Sequence, residues 1–361
     1  MINRPSLRRS AWAIAATGSI LAVVFASAPA QAHPSEPRFT EVDLVSNQPG
    51  KAALQDPLLV NAWGLALGPT SPLWVANNGT NTASIYRGGG ATPIANAGFA
   101  PVIPGGAPTG QVFNDTDQFK VTGPTGTTAT SNFIFDSEGG DVTAWSGAVD
   151  RLNAFVVAHV DGAVFKGLAL WHTDLGPFLL AADFHNGTVD VFDGRFTRLV
   201  LPARYFHDPA LPAGYAPFNV VTSGDHVFVS YAKQGDGVDQ QEGAGLGFVD
   251  EYTDFGQVVH RVATRGTLNA PWGMAIAPAS FGKLAGDLLV GNLGDGRIGA
   301  YHDRHFDGLL TDAHGKPIAI DGLWALLPGT ATSGGVDSVW FSAGPDEEAN
   351  GLVGLLTPAT G

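Results

Sequence analysis

The chain has 361 residues, with 33 Asp and Glu against 19 Lys and Arg, a formal charge of −14. That balance excludes nucleic acid and anionic membrane surfaces as natural partners. The absence of cysteine excludes disulfides and thiolate metal sites, and the 48 glycines and 24 prolines suit many short strands and turns.

Residues 1–32 read as a targeting segment. Arg4, Arg8 and Arg9 form a positive start, Ala11–Ala28 an apolar stretch, and Ala30-Gln31-Ala32 a small-x-small cleavage site. The expectation is export, to the periplasm or outside the cell, by either the general or the twin-arginine route. Loss of the three arginines takes the charge from −14 to −17. No later run reaches the eighteen or more apolar residues a membrane span needs. Residues 33–361 are expected to form one domain.

Phe39–Val45 alternates as a strand does. After it, one pattern recurs: a Gly-marked apolar run, a second apolar run, a turn rich in Asn, Asp and Gly, and a third run. Val60–Arg87 carries it as VNAWGLALGPTSPLWVANNGTNTASIYR, and Pro108–Trp145 more weakly, with an insert at Asn114–Ser131. Phe165–Asp193 follows, then Pro217–Tyr252 with an acidic insert at Gln234–Gly245. Leu268–Tyr301 is the clearest copy, its last two runs joined by the hairpin turn Asn292-Leu-Gly-Asp-Gly296. Ile320–Pro358 is the last. The first-run markers Gly64, Gly110, Gly167, Asn219, Gly273 and Gly322 are 46, 57, 52, 54 and 49 residues apart. A period of about 50 is that of propeller blades.

The reading is an all-β, six-bladed β-propeller. About forty residues follow Gly322, enough for three strands. Phe39–Val45 is expected to supply the fourth strand of the last blade, pairing near Leu352–Leu356, because an unpaired edge invites aggregation. Both inserts are expected to be surface loops. Asp236, Asp239 and Glu242 in the second read as a solvated acidic loop or a calcium ligand set.

The stretches LVSNQPGKAAL (44–54), ADFHNGTVDVFDGRF (182–196), LPAGYAPFNV (211–220), LNAPWGMAIAP (268–278), LLVGNLGDGRI (288–298) and DGLWALLPG near the end resemble a family of uncharacterised exported bacterial proteins. Some of its members carry a PEP-CTERM sorting tail. The resemblance implies an exported propeller without bringing an activity. More loosely, the blades resemble NHL-type and gluconolactonase-like six-bladed propellers. The latter resemblance implies a metal-dependent lactonase, yet Trp63-Gly64, Lys166-Gly167 and Trp272-Gly273 stand where that pattern has acidic and Asn-Gly positions.

In a propeller the inner-strand starts and the second-to-third-strand hairpins share one mouth of the channel. The starts are Trp63, Thr109, Lys166, Phe218, Trp272 and Asp321. The hairpins bring Asn77, Asn78, Glu138, Asp183, His185, Asn292 and Asp295. The candidate ligand-binding mouth is therefore Trp63, Asn77, Lys166, Asp183, His185, Trp272, Asn292 and Asp321. Against it stand plainer roles. The two tryptophans can pack between blades, and the Asn and Asp side chains can tie their own turns. Hard oxygen ligands among them would suit a divalent cation such as calcium. Lys166 and Asp321, on blades three and six, are expected to face each other.

No Gly-x-Ser-x-Gly elbow, zinc-binding His-Glu-x-x-His or phosphate loop occurs. Three function classes remain: a binding or scaffold module for a small polar ligand, a metal-dependent hydrolase or lactonase, and an envelope or matrix component that binds a glycan or protein. The fold does not choose among them.

Overall fold

The computed structural model describes residues 36–359. The targeting segment at 1–32 lies outside the described residues. Six antiparallel sheets follow one another, and two short 3₁₀ turns, Asn78–Thr80 and Ala279–Leu284, are the helical elements among the described residues.

Blade one runs Ala62–Ala66, Leu73–Asn77, Thr82–Arg87 and Ala95–Asn96 from axis to rim. The inner strands of the next five are Pro108–Phe113, Phe165–Thr173, Tyr215–Ser223, Pro271–Ile276 and Leu323–Pro328. Each packs on the next, and the sixth packs on the first, so the ring is closed. Blades three and six therefore stand opposite each other.

Closure uses the expected strand. Phe39–Ser46 pairs antiparallel with Leu352–Pro358, in a register that sets Phe39 against Pro358 and Ser46 against Leu352, with one bulge between Asp43 and Val45. Leu54–Gln55 adds a fifth, parallel strand outside it. Phe39 is buried and packs on Phe281 with ring centroids 4.6 Å apart. The Ser46 hydroxyl donates to the Gly351 carbonyl at 2.8 Å.

The glycine markers have a steric cause. A Cβ on Gly64 would lie 2.4 Å from the Thr109 carbonyl oxygen, on Gly110 2.2 Å from the Leu168 nitrogen, and on Gly273 2.5 Å from the Trp324 carbonyl oxygen. Neighbouring inner strands approach too closely there for any side chain. At the fourth marker Asn219 fills the space over Gly167 and donates to the Trp272 carbonyl at 2.8 Å. The sixth marker differs. Gly322 has φ +65 and turns the chain into its strand, and its close approach, 2.1 Å from an added Cβ to the Gly344 carbonyl oxygen, is to its own blade rather than to the next inner strand.

Both inserts are more ordered than surface loops. The first carries a hairpin, Lys120–Thr122 with Thr128–Thr130, and buries Phe119 and Val121 against blades two and three. The second adds a short strand, Gln240–Gln241, to Lys233–Gln234. Their apolar and backbone groups find partners on neighbouring blades, which the polar composition of the segments hides.

Deleting residues 33–46 removes a central strand of the last sheet and bares the edge of Leu352–Pro358. The truncated protein is expected to aggregate or to lose its cooperative melting transition. An unchanged melting temperature would exclude a role for this strand in closing the ring.

Candidate functional site

At the mouth foreseen from the sequence, six polar side chains join hands across five blades. Asn61, just before the first inner strand, donates to Glu348 Oε2 at 2.7 Å and to Asn78 Oδ1 at 3.2 Å. Asn78 donates to Glu138 Oε2 at 3.2 Å, and Glu138 Oε1 takes a short hydrogen bond from Lys166 Nζ. Asp239, from the acidic insert, reaches to 3.6 Å of the same ammonium. Lys166 is 1% exposed, and the flanking carboxylates offset the cost of placing its side chain in the interior. Burial first, and then the Glu138 carboxylate, push the Glu348 carboxyl above its usual range, while Lys166 opposes them.

Beneath this network three tryptophans plug the channel. Trp63 stacks on Trp324 at 3.6 Å, and Trp272 meets both edge-on at 6.3 and 5.8 Å. Trp272 Nε1 donates to the Lys166 carbonyl at 2.8 Å, and Lys166 Nζ lies 5.2 Å above the Trp63 ring. Trp63 and Trp272 belong to blades one and five, which are not neighbours, so their contact crosses the axis.

The other foreseen residues do not join this network. Asn77 is buried and donates to Thr82 and Ser84 hydroxyls at 2.9 Å each, within its own blade. Asp183 accepts from the Asn186 backbone and side chain, at 3.1 and 2.7 Å. Asn292 donates to Thr267 and Asp295 at 2.7 and 3.1 Å. These three tie turns, because a short polar side chain at a hairpin meets its own backbone before it meets the axis. His185 is exposed, as is Asp321, whose carboxylate accepts the Asp346 backbone N–H at 3.0 Å. Lys166 thus pairs with Glu138 and Asp239 rather than with Asp321. The network's own members include Asn61 and Glu348, which sequence reasoning left aside, and Asp239, which it placed in a solvated acidic loop or calcium set away from the mouth. The Asn61 signal lay in the Asn that precedes Trp63-Gly64, with its counterpart Asn269 before Trp272-Gly273.

A channel metal, implied by the gluconolactonase-like resemblance, does not fit this mouth. The Lys166 ammonium lies beside Glu138 and Asp239 where a cation would need them, and among the described residues no group of three or more His, Asp or Glu is disposed to hold a metal ion.

On the other side of the plug the channel opens. A cavity of about 610 Å³ is lined by all six inner strands, through Leu65, Val112, Leu170, Val221, Met274 and Leu326 among others, with Trp272 and Asn219 towards its floor. Its rim carries Asp115 and His172, paired at 3.1 Å. The walls are apolar because the inner strands carry Leu, Val, Ala, Ile and Met past their first residues.

No family model matches the sequence. Two uncharacterized proteins of Acanthamoeba polyphaga mimivirus do. R648 is 35% identical over 324 residues, covering 87% of this chain and 78% of that protein. L690 is 32% identical over 328 residues, covering 87% and 84%. The chain belongs to their family. These relatives are viral, whereas the sequence resemblance was to exported bacterial proteins. Among solved structures, the chain is similar to virginiamycin B lyase from Staphylococcus aureus (13% identity, TM-score 0.45, covering 89% of this chain and 99% of that one). It is also similar to the calcium-binding protein regucalcin from Agrobacterium tumefaciens (9%, 0.48, covering 83% and 90%) and to a putative gluconolactonase (18%, 0.41, covering 67% and 78%). At these identities and TM-scores no activity carries over.

Two outcomes test the closed mouth. Trp63→Ala removes half of the stacked pair and is expected to cost about 3–5 kcal/mol in denaturant unfolding. Beside the network, Asp136 is fully buried, accepts from the Thr109 hydroxyl and Gly110 N–H at 2.8 and 2.7 Å, and leaves Oδ2 without a partner. Burial raises its carboxyl from the ordinary 3.8 to about 7. Above pH 7 the native state therefore bears a buried charge. Between about 7 and 3.8 the native state holds the proton while the unfolded chain does not, so acidification across that window stabilises the fold. Asp136→Asn is expected to stabilise the protein relative to the parent at pH 8 more than at pH 4, by a few kcal/mol, on the order of 4. Equal effects at both pH values would place the titration elsewhere.

Proposed function

We propose that the protein is an exported binding module that takes a small, largely apolar molecule into the open end of its channel. One observation carries this reading: the six inner strands together line a concave apolar cavity of about 610 Å³ that the tryptophan plug closes at one end. Ligand pockets generally measure about 300–1,000 Å³ and are lined mostly by apolar groups, with a few polar ones to orient the ligand. At the opposite mouth, the expected place of a small polar ligand, Lys166 is paired with Glu138 and Asp239. Export rests on the leader at 1–32, and N-terminal sequencing of protein recovered outside the cytoplasm checks it, with His33 as the expected first residue.

The binding is tested with the apolar fluorophore N-phenyl-1-naphthylamine and the mature chain. Saturable binding at one site is expected, with quenching of Trp272 at the cavity floor. Leu327 lines the cavity and is half-buried. Leu327→Asp sets a carboxylate among the apolar walls and should weaken binding about tenfold or more. Fluorophore affinity that Leu327→Asp leaves unchanged in a stably folded protein would remove the channel from consideration.

A further inference from the structure

The open channel has a side pocket whose chemistry narrows the ligand, an inference that rests on the channel reading above. Between blades four and five lies a second cavity, of about 270 Å³. Ser223, Phe228, Ile276 and Leu288 line both cavities, so the two adjoin. The second differs from the first in its polar lining, which is Glu251, His226, His260, His302 and Asp303.

Glu251 is 9% exposed. Its Oε1 takes a hydrogen bond from His226 Nδ1 at 2.6 Å, and its Oε2 lies 3.5 Å from His260 Nε2, a buried nitrogen with no hydrogen-bond partner. His302 Nδ1 lies 3.1 Å from Asp287 Oδ1. A neutral imidazole that gives its one N–H to a carboxylate keeps a lone pair on its other nitrogen. In that form His226 and His302 present acceptors on Nε2. To these the pocket adds the Glu251 and Asp303 carboxylates and the aromatic faces of Phe228 and Tyr301. Neither cavity has a Lys or Arg among its lining residues. The lining thus offers acceptors and negative charge without a matching cation, and a buried carboxylate is stabilised by an opposite charge.

We infer that the ligand is an amphipathic amine, with its apolar body in the six-strand channel and its ammonium group in the side pocket against Glu251. A primary ammonium brings three donors to the carboxylate and the imidazole lone pairs, and a positive charge to the rings of Phe228 and Tyr301. The formal charge of −14 adds a long-range attraction for such a cation.

The test compares three probes of one chain length, decylamine, decanol and decanoate, titrated calorimetrically into the mature protein at pH 8 below their micelle-forming concentrations. Decylamine is expected to bind about tenfold or more tightly than decanol, and decanoate more weakly than either. Glu251→Gln should bring the amine-to-alcohol ratio close to one. Asp303 is exposed with φ +52, which Asn tolerates, so Asp303→Asn supplies a variant that keeps the fold and should lower the same ratio in part. Equal affinities for the three probes, tighter binding of decanoate, or a ratio that neither substitution moves would overturn the amine assignment while leaving the channel reading standing. If none of the three probes binds, the channel reading itself fails.

Discussion

Everything in this molecule depends on how closely six inner strands crowd around one axis. Backbone meets backbone there at Gly64, Gly110 and Gly273, and the Asn219 side chain meets Gly167, so that a Cβ at any of the four glycines would fall 2.1 to 2.5 Å from a neighbouring atom. The crowding is localised to one level of the channel. Above it the starts of the strands carry large side chains, and below it the strands diverge enough to leave a cavity. The glycines thus set the radius, and the radius decides what fits at each end.

The two ends solve opposite problems. At the upper end a buried ammonium had to be compensated, and Glu138 and Asp239 do so from two blades and an insert. Beneath those paired charges two indoles stack and a third meets them edge-on, closing the channel. Lys166 acts there as a tethered cation that holds carboxylates of different blades together. At the lower end nothing apolar is left to cover the inner strands, so Leu, Val and Met side chains face an open channel.

The lower face also concentrates imidazole–carboxylate pairs. His172 with Asp115, His226 with Glu251 and His302 with Asp287 sit at strand ends of blades two to five, on the same side of the ring. Each carboxylate fixes one ring nitrogen and so fixes what the other can accept. The rim is therefore oriented as well as polar.

The sequence by itself determined the architecture: the period near 50 set six blades, and the shortfall after Gly322 required the strand at Phe39. Both follow from local rules, since blade count and edge pairing depend on runs and turns that each segment encodes. It also picked out Lys166, Trp63 and Trp272 as residues at the axis. Only the tertiary structure decided which polar groups meet. Asn77, Asp183 and Asn292 are bound to their own hairpins, whereas Asn61, Glu138, Asp239 and Glu348, from four different blades, converge. A side chain's choice between its own turn and a neighbour on another blade, 28 to 287 residues away, depends on rotation of one blade against the next, which no local pattern records. The same holds for the open channel. Its volume is what the six strands leave unfilled, and it belongs to no single stretch of the sequence.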